Sequence, residues 1–262
     1  MIHQTAIVSP RAKIGNGVKI GAYSIIGDNV ELEDDIEIMS HVCVEGYTKI
    51  GEGTKIFPFA AIGFIPQDLK YKGEKSRLTI GKRNSIREHV TMHPGTEGGA
   101  METIVGNDNL FMIGVHVAHD CVIGDNIVMG NNATLGGHVK IEDDVIVGGL
   151  AAVHQFVRIG RGAIIGGMSG VERDVIPYGA VKGDRASLYD LNLIGLRRSG
   201  VERQEILALK KAFDIIFSGE KTISANIEEA EKTVGGAPLV DRLIKFMKQD
   251  TSRSFCLPKE RT

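Results

Sequence analysis

"VGNDNLFMIGVHVAHDCVIGDNIVMGNNATLGGHVKI" (Val105–Ile141) places an apolar residue at every sixth position: Val105, Phe111, Val117, Ile123, Met129, Leu135 and Ile141. The register extends in both directions. It runs from Val8 through Ile14, Ile20 and Ile26 to Ile62, returns at Ile80, Ile86 and Met92, and continues past Ile141 to Val171. No polar residue occupies a register position. Two residues earlier the chain is mostly small or β-branched, as at Val18, Ser24, Thr48, Ala133 and Ala163. One residue later glycine recurs, as at Gly15, Gly21, Gly51, Gly124, Gly148 and Gly166.

A period of six is neither helical nor a simple strand alternation. It fits a short strand with two inward side chains, followed by a tight turn at a glycine free to adopt φ > 0. Hexapeptide periodicity of this kind predicts a parallel β-helix, with three strands per coil and about eight coils stacked into a prism. Its core is a file of Ile, Val and Leu.

Two segments break the register: "GFIPQDLKYKGEKSRL" (Gly63–Leu78) and "HPGTEGGAMET" (His93–Thr103). Both are rich in charge, Gly or Pro and are expected to bulge as loops. Long loops on a rigid scaffold are where function concentrates. The repeat ends near Val171, and from about Ser187 the pattern becomes helical. "VERQEILALKKAFDIIFSG" spaces Ile206, Leu209, Phe213, Ile216 and Phe217 at helical intervals, with Gly219 as a stop. "ISANIEEAEKTV" and "PLVDRLIKFMKQD" are two more amphipathic helices. The expected division is a β-helix over 1–186 and a small α-helical domain over 187–262, a mainly β chain overall.

The 262 residues carry a formal charge of −2, which argues against a nucleic-acid binder. Cys43, Cys121 and Cys256 are odd in number and far apart, which fits a reducing, cytoplasmic setting. The N-terminus lacks the charged and apolar runs of a signal peptide, and no segment approaches the ~20 apolar residues of a membrane span.

Histidines are the chemically distinctive residues. His116 precedes the register residue Val117 and is expected to point outward. His119 lies two residues after Val117, near a prism corner, and His138 three after Leu135. None belongs to the core file. Metal binding, acid–base chemistry and plain surface polarity all remain open for them, whereas His3, His41 and His89 are expected to be surface residues. The His116–His119 spacing lacks a Cys set or paired carboxylates to complete a zinc site. In the helical part, Arg197, Arg198 and Arg203 cluster in "GLRRSGVER". For Arg197 and Arg198 an anion-binding role and a plain solvated face both remain open, while Lys210 and Lys211 read as a solvated face.

The set "QDLKY", "HVAHDC", "GNNATLGGHV", "AAVHQF" and "GGMSGV", in this order, closely resembles the UDP-N-acetylglucosamine acyltransferases of lipid A synthesis. The likeness covers essentially the whole chain. It implies a left-handed β-helix, a cytoplasmic homotrimer, and transfer of a long (R)-3-hydroxyacyl group from acyl carrier protein to the sugar 3-position. It implies no metal and no cofactor beyond the donor's own phosphopantetheine. His119 matches the family's general base, which acyl transfer to a hydroxyl requires. Asp120 matches an orienting carboxylate and Gly137 a backbone donor to the oxyanion. His116, Asn131, His138, His154 and Gln155 match positions around the sugar, nucleotide and reacting centre. Gln67, Asp68 and Lys70 match loop contacts to sugar and pantetheine. Asn192 and Arg198 match nucleotide contacts, and Gly167 the far end of the acyl groove.

Three departures concern the acceptor. Ile194 stands where the family commonly has Glu, "RRSG" replaces a longer basic run, and Arg185 stands where a His is common. They leave a 3-amino sugar nucleotide as an alternative acceptor. A sister N-acyltransferase with an extra N-terminal domain fits less well, because the repeat begins by Val8. A carbonic-anhydrase-like metalloenzyme on the same repeat is the rival from another reaction class.

Overall fold

The computed structural model describes residues 1–219, 221–249 and 253–258. Short strands run from β1 (Ile7–Val8) to β25 (Gly170–Val171), and every register residue is the last residue of its strand. From β1 to β22 each strand pairs in parallel with the strand three places on, so the chain visits three faces in turn. The first face holds nine strands from β1 to β25; the second holds eight, from β2 (Lys13–Ile14) to β23 (Arg158–Ile159). The third begins at β3 (Lys19–Ile20) and holds ten. Register residues pair with one another coil to coil, as in Val117↔Leu135 and Leu135↔Val153.

The core is the predicted file. Ile50, Ile56, Ile62, Ile86, Phe111, Val117, Met129 and Leu135 are fully buried, and so are Val42, Val115, Ala133 and Ala163 two positions earlier. Each such Ile or Leu contributes roughly 1.5–3 kcal/mol through burial.

The recurrent glycines have a different role from the one expected. Gly15, Gly21, Gly51, Gly124 and Gly148 do not have positive φ. A side chain at Gly51 would lie 2.5 Å from the Gly81 carbonyl carbon, and at Gly130 2.5 Å from the Gly149 nitrogen. These glycines let consecutive coils stack closely. The left-handed backbone falls two residues later, at Tyr23, Asp35, His41, Phe59, Arg83, His89, Asp120, Asn132, His138 and Phe156, with φ between 54° and 66°.

Both interruptions leave the coils as loops, but shorter ones than expected. Arg77–Ile80 and Glu102–Val105 are four-residue strands paired with each other, so the loops are 63–76 and 93–101. Ser187, expected to open the helical part, instead opens β27 (Ser187–Leu191). This strand pairs antiparallel with β26 (Gly179–Lys182) and extends the third face. Leu188 and Leu191 are buried there; their three-residue spacing, produced by a shift in the pairing register, reads as helical in the sequence. The helices are α1 (Leu193–Arg198), α2 (Arg203–Ile216), α3 (Ile223–Val234) and α4 (Pro238–Lys248). Ile206, Leu209, Ala212 and Ile216 of α2 are buried, and α2 packs against both α3 and α4.

After α4 the chain returns to the prism. Asp174 N–H donates to the Ser254 carbonyl at 2.9 Å, and Cys256 N–H to the Asp174 carbonyl at 2.8 Å.

Candidate active site

The three edges of the prism carry different residues. The edge after the first face receives residues two and three beyond the register positions Val117, Leu135 and Val153. These are His119 and Asp120, Gly137 and His138, and Gln155 and Phe156. A groove of about 400 Å³ runs here, and Gln67, His116, His119, Gly137, His154 and Gln155 all line it.

His119 and Asp120 form its polar centre. His119 Nδ1 lies 2.8 Å from Asp120 Oδ2, and the Asp120 side chain is only 1% exposed. A buried carboxylate needs donors on both oxygens, and the second loop supplies them. Ala100 N–H donates to Oδ1 at 2.8 Å, Thr96 Oγ1 to Oδ2 at 2.7 Å, and Thr96 N–H lies 3.2 and 3.1 Å from the two oxygens. Burial pushes the Asp120 carboxyl up, but these bonds and the one from His119 outweigh it, so its pKa lies below the ordinary aspartate value.

His138 stands edge-on to His119, with ring centroids 5.0 Å apart, and lies flat on Phe156 at 4.3 Å. Its Nδ1 is 4.0 Å from Asp120 Oδ2. Burial lowers the His138 pKa, against the pull of Asp120 and of Asp68 on the first loop. His116 pairs through Nδ1 with Thr91 Oγ1 at 2.8 Å, and burial, aided by His93, lowers its pKa too.

Gly137 is buried, and a side chain there would come within 2.6 Å of His119 Cε1 and Nε2. Its N–H finds no intramolecular acceptor among the described residues. The same holds for Asn131 and Gly149 at the equivalent corner position, whereas at the edge after the second face this N–H donates to a neighbouring side chain, as Asn107 does to Asp125 at 2.6 Å and Asp125 to Asp143 at 3.0 Å. What sets Gly137 apart is the imidazole beside it.

The other expected residues sit elsewhere in the chain. Asn131 and Gly167 share the edge after the third face, stacked through Gly149: a Cβ at Gly149 would meet the Asn131 carbonyl at 3.2 Å, and one at Gly167 the Gly149 carbonyl at 3.2 Å. Asn192 lies at the remaining edge, where its amide donates to the Gly162 carbonyl at 2.9 Å and its Oδ1 caps α1 through Gly195 N–H at 3.0 Å. Arg198 is exposed at the end of α1. Lys70 is exposed, and its N–H is taken by Asp68 Oδ1 in a local turn. One chain therefore does not bring Asn131, Gly167 or Asn192 to the edge that carries His119.

Sequence reading missed three residues. His93, buried in the groove wall, pairs through Nδ1 with the Phe64 carbonyl at 3.0 Å, while its Nε2 has no partner. Its signal was visible: it follows the register residue Met92, in the position that glycine usually fills. Thr96 is hidden in a loop. Arg253, on the returning segment, reaches His154 Nδ1 at 2.8 Å and the Gln155 carbonyl at 3.0 Å; nothing local foretells it.

Residues 102–137 match the bacterial transferase hexapeptide family (six repeats), and residues 174–256 match the second domain of UDP-N-acetylglucosamine O-acyltransferase. An acyl-[acyl-carrier-protein]–UDP-N-acetylglucosamine O-acyltransferase from Thermodesulfovibrio yellowstonii is 48% identical over 97% of this chain and 98% of its own length. One from Caulobacter vibrioides is 50% identical over 98% of each chain. The crystal structure of a UDP-N-acetylglucosamine acyltransferase superposes with a TM-score of 0.95 at 41% identity, covering 99% of both chains. The enzyme from Acinetobacter baumannii gives 0.94 at 40%, covering 97% of this chain and 98% of its own. At such identity over nearly full length, the chain belongs to the UDP-N-acetylglucosamine O-acyltransferase family.

Proposed function

We propose that this protein moves a long-chain (R)-3-hydroxyacyl group from acyl carrier protein to the 3-hydroxyl of UDP-N-acetylglucosamine, with His119 as general base. The observation that carries this reading is the His119–Asp120 contact at 2.8 Å beside Gly137. Asp120, an acceptor held below its ordinary pKa, keeps the imidazole proton on Nδ1 and leaves Nε2 as a lone pair facing the groove. Nε2 takes the proton of the sugar hydroxyl as its oxygen attacks the thioester carbonyl. The oxyanion of the tetrahedral intermediate accepts from the Gly137 N–H. Collapse breaks the carbon–sulfur bond, and the protonated His119 returns its proton to the departing pantetheine thiolate.

Gln67, His116, His154 and Gln155 share the groove and are assigned to the acceptor, with Asp68 and His138 flanking. Asn131 and Gly167 are on the edge after the third face, and Asn192 on the edge after the second. A threefold assembly of prisms that sets one chain's first edge against a neighbour's third face, which those two edges flank, would bring these sets together, so we assign the working unit as a homotrimer with shared sites. Two basic patches, Arg197–Arg198 and Arg203–Lys210–Lys211, are exposed on α1 and α2 and are assigned to the anionic nucleotide and the carrier protein respectively. A reaction of this kind belongs in the cytoplasm, and no helix among the described residues is long and apolar enough to cross a membrane.

The metalloenzyme reading fits the same atoms less well. His119, Asp120 and His138 offer ligand atoms within 4.8 Å of one another, but the Asp120 oxygens already accept from Thr96, Ala100 and His119. A zinc ion bound at ~2.0–2.2 Å would have to displace those donors. The acyl reading calls for no metal.

The decisive assay supplies labelled UDP-N-acetylglucosamine, and in parallel its 3-amino analogue, with 3-hydroxyacyl carrier proteins of several chain lengths. A 3-O-acyl product from long donors is expected, with activity unchanged after chelation. Product formed only from the amino analogue would reassign the acceptor, in line with Ile194, which is exposed and offers no acceptor.

A further inference from the structure

The loop 93–101 sends its backbone and one hydroxyl onto a single carboxylate. Thr96 Oγ1, Thr96 N–H and Ala100 N–H all donate to Asp120, and His119 Nδ1 completes the set. Thr96 itself is buried, at 2% exposure. Two glycines make the approach possible. A side chain at Gly99 would overlap the Asp120 carboxylate, and one at Gly95 would overlap the Glu102 nitrogen and lie 2.8 Å from Asp120 Oδ1.

Asp120 Oδ2 receives both the Thr96 hydroxyl, at 2.7 Å, and His119 Nδ1, at 2.8 Å. The hydroxyl therefore sets the carboxylate's rotation and shares its charge with the imidazole. Charge-assisted bonds of this kind are about twice as strong as neutral ones, and they order the group to which they attach.

We propose that Thr96 is a positioning residue of acyl transfer: through its hydroxyl it holds Asp120 so that Oδ2 meets His119 Nδ1 and leaves Nε2 free to accept the substrate proton. This rests on His119 being the base. The titratable groups facing Asp120 are His119, His138 at 4.0 Å, and Cys121, a neutral thiol that burial pushes up to about 12. Without the Thr96 donor the Asp120–His119 unit holds its proton more tightly, and the acidic limb of the rate profile moves to higher pH.

The test compares Thr96→Val, Thr96→Ser, Gly99→Ala and His119→Ala, with kcat and KM measured across pH and melting temperature recorded for each. Thr96→Val is expected to lower kcat roughly tenfold, hold KM for both substrates, and raise the acidic limb. Thr96→Ser, which keeps the donor, restores kcat and limb together. Gly99→Ala, which leaves Thr96 intact but lifts the loop from the carboxylate, reproduces the Val variant and decides the matter if that variant does not fold. Wild-type kcat and limb in Thr96→Val or Gly99→Ala, or a Ser variant as impaired as Val, overturns the role of Thr96 while an inactive His119→Ala leaves the base in place. An active His119→Ala removes the base assignment itself, and this proposal with it.

Discussion

Two edges of the prism stack rings on the same backbone turn. After the third face, Tyr23, His41, Phe59 and His89 lie one coil above another, with centroids 5.2, 5.3 and 5.2 Å apart. After the first face, His138 lies on Phe156 at 4.3 Å and meets His119 edge-on. His41, His89 and His138 even share their φ, at 58°, 59° and 62°. The difference is the carboxylate. Asp120 is buried, held by loop donors and bonded to an imidazole, whereas the acid next to His89 is Glu88, occupied by Arg87 at the surface. A ring at a corner is what the repeat offers at any coil. Its chemistry comes from the break in the repeat, which carries donors to an acid that would otherwise be costly to bury.

The comparison breaks most readily at His119. His119→Ala is expected to lower kcat by ~10²–10⁴-fold, with the melting temperature near wild type. His89→Ala, on the other stack, should leave kcat unchanged. Equal losses in steady-state assays would mean that the two edges are not chemically distinct.

Further along the edge that carries the Tyr23–His89 stack lies Gly167, which by family resemblance is expected to set the length of the acyl groove. Gly167→Met should shift donor preference toward shorter chains by nearly fourfold per methylene excluded, since each buried CH₂ is worth ~0.8 kcal/mol. Competition between donors of different length reads this directly, and an unchanged length profile would detach that edge from the site.

A smaller effect appears in stability. Burial holds His116 and His138 below the ordinary imidazole value, so the unfolded chain binds protons that the folded one refuses. Stability therefore falls as pH drops below about 6.5, with a second loss below about 3.9 as Asp120 protonates. Melting temperatures from about pH 8 to about pH 5 should decline, and His116→Gln should flatten that decline. A flat wild-type curve would contradict the burial argument.

The smallest change concerns the helices. Arg203→Glu or Lys210→Glu should raise KM for acyl carrier protein a few-fold at low salt, with the effect fading as salt is added. KM for the sugar nucleotide should stay fixed. A salt-independent KM would leave these exposed cations without a role.

The prism was legible because a strand of two residues is specified locally: each register residue closes a strand, from Val8 to Val171. The glycines were legible as positions but not as causes. A glycine needed for φ > 0 and one needed for a close neighbour read alike in a single chain, and only stacking distances separate them. The left-handed corner is legible at Asn132, a residue type that tolerates this backbone, but not as a pattern, because the position holds Asp, Asn, His, Phe, Leu and Arg alike. His116, His119, His154 and Gln155 were recognised by family likeness, and they do share a groove. Thr96 and Arg253 could not be read, since each meets the site only through tertiary return, Arg253 from 99 residues beyond His154.

Backbone bonds from coil to coil join residues about eighteen apart, as the Ile25 N–H does with the Val42 carbonyl at 2.8 Å and the His41 N–H with the Ala22 carbonyl at 2.9 Å. Length along this chain is therefore counted modulo a turn. Removing one full coil would return each later residue to its own face, one storey lower. Removing six residues would rotate everything beyond the cut onto the next face, carrying His138 away from His119 while leaving the apolar file unbroken. Such a protein would keep its core and lose its address. The two loops avoid this by leaving at a corner and rejoining the same rung, so the prism grows or shrinks by whole storeys, and novelty enters through its windows.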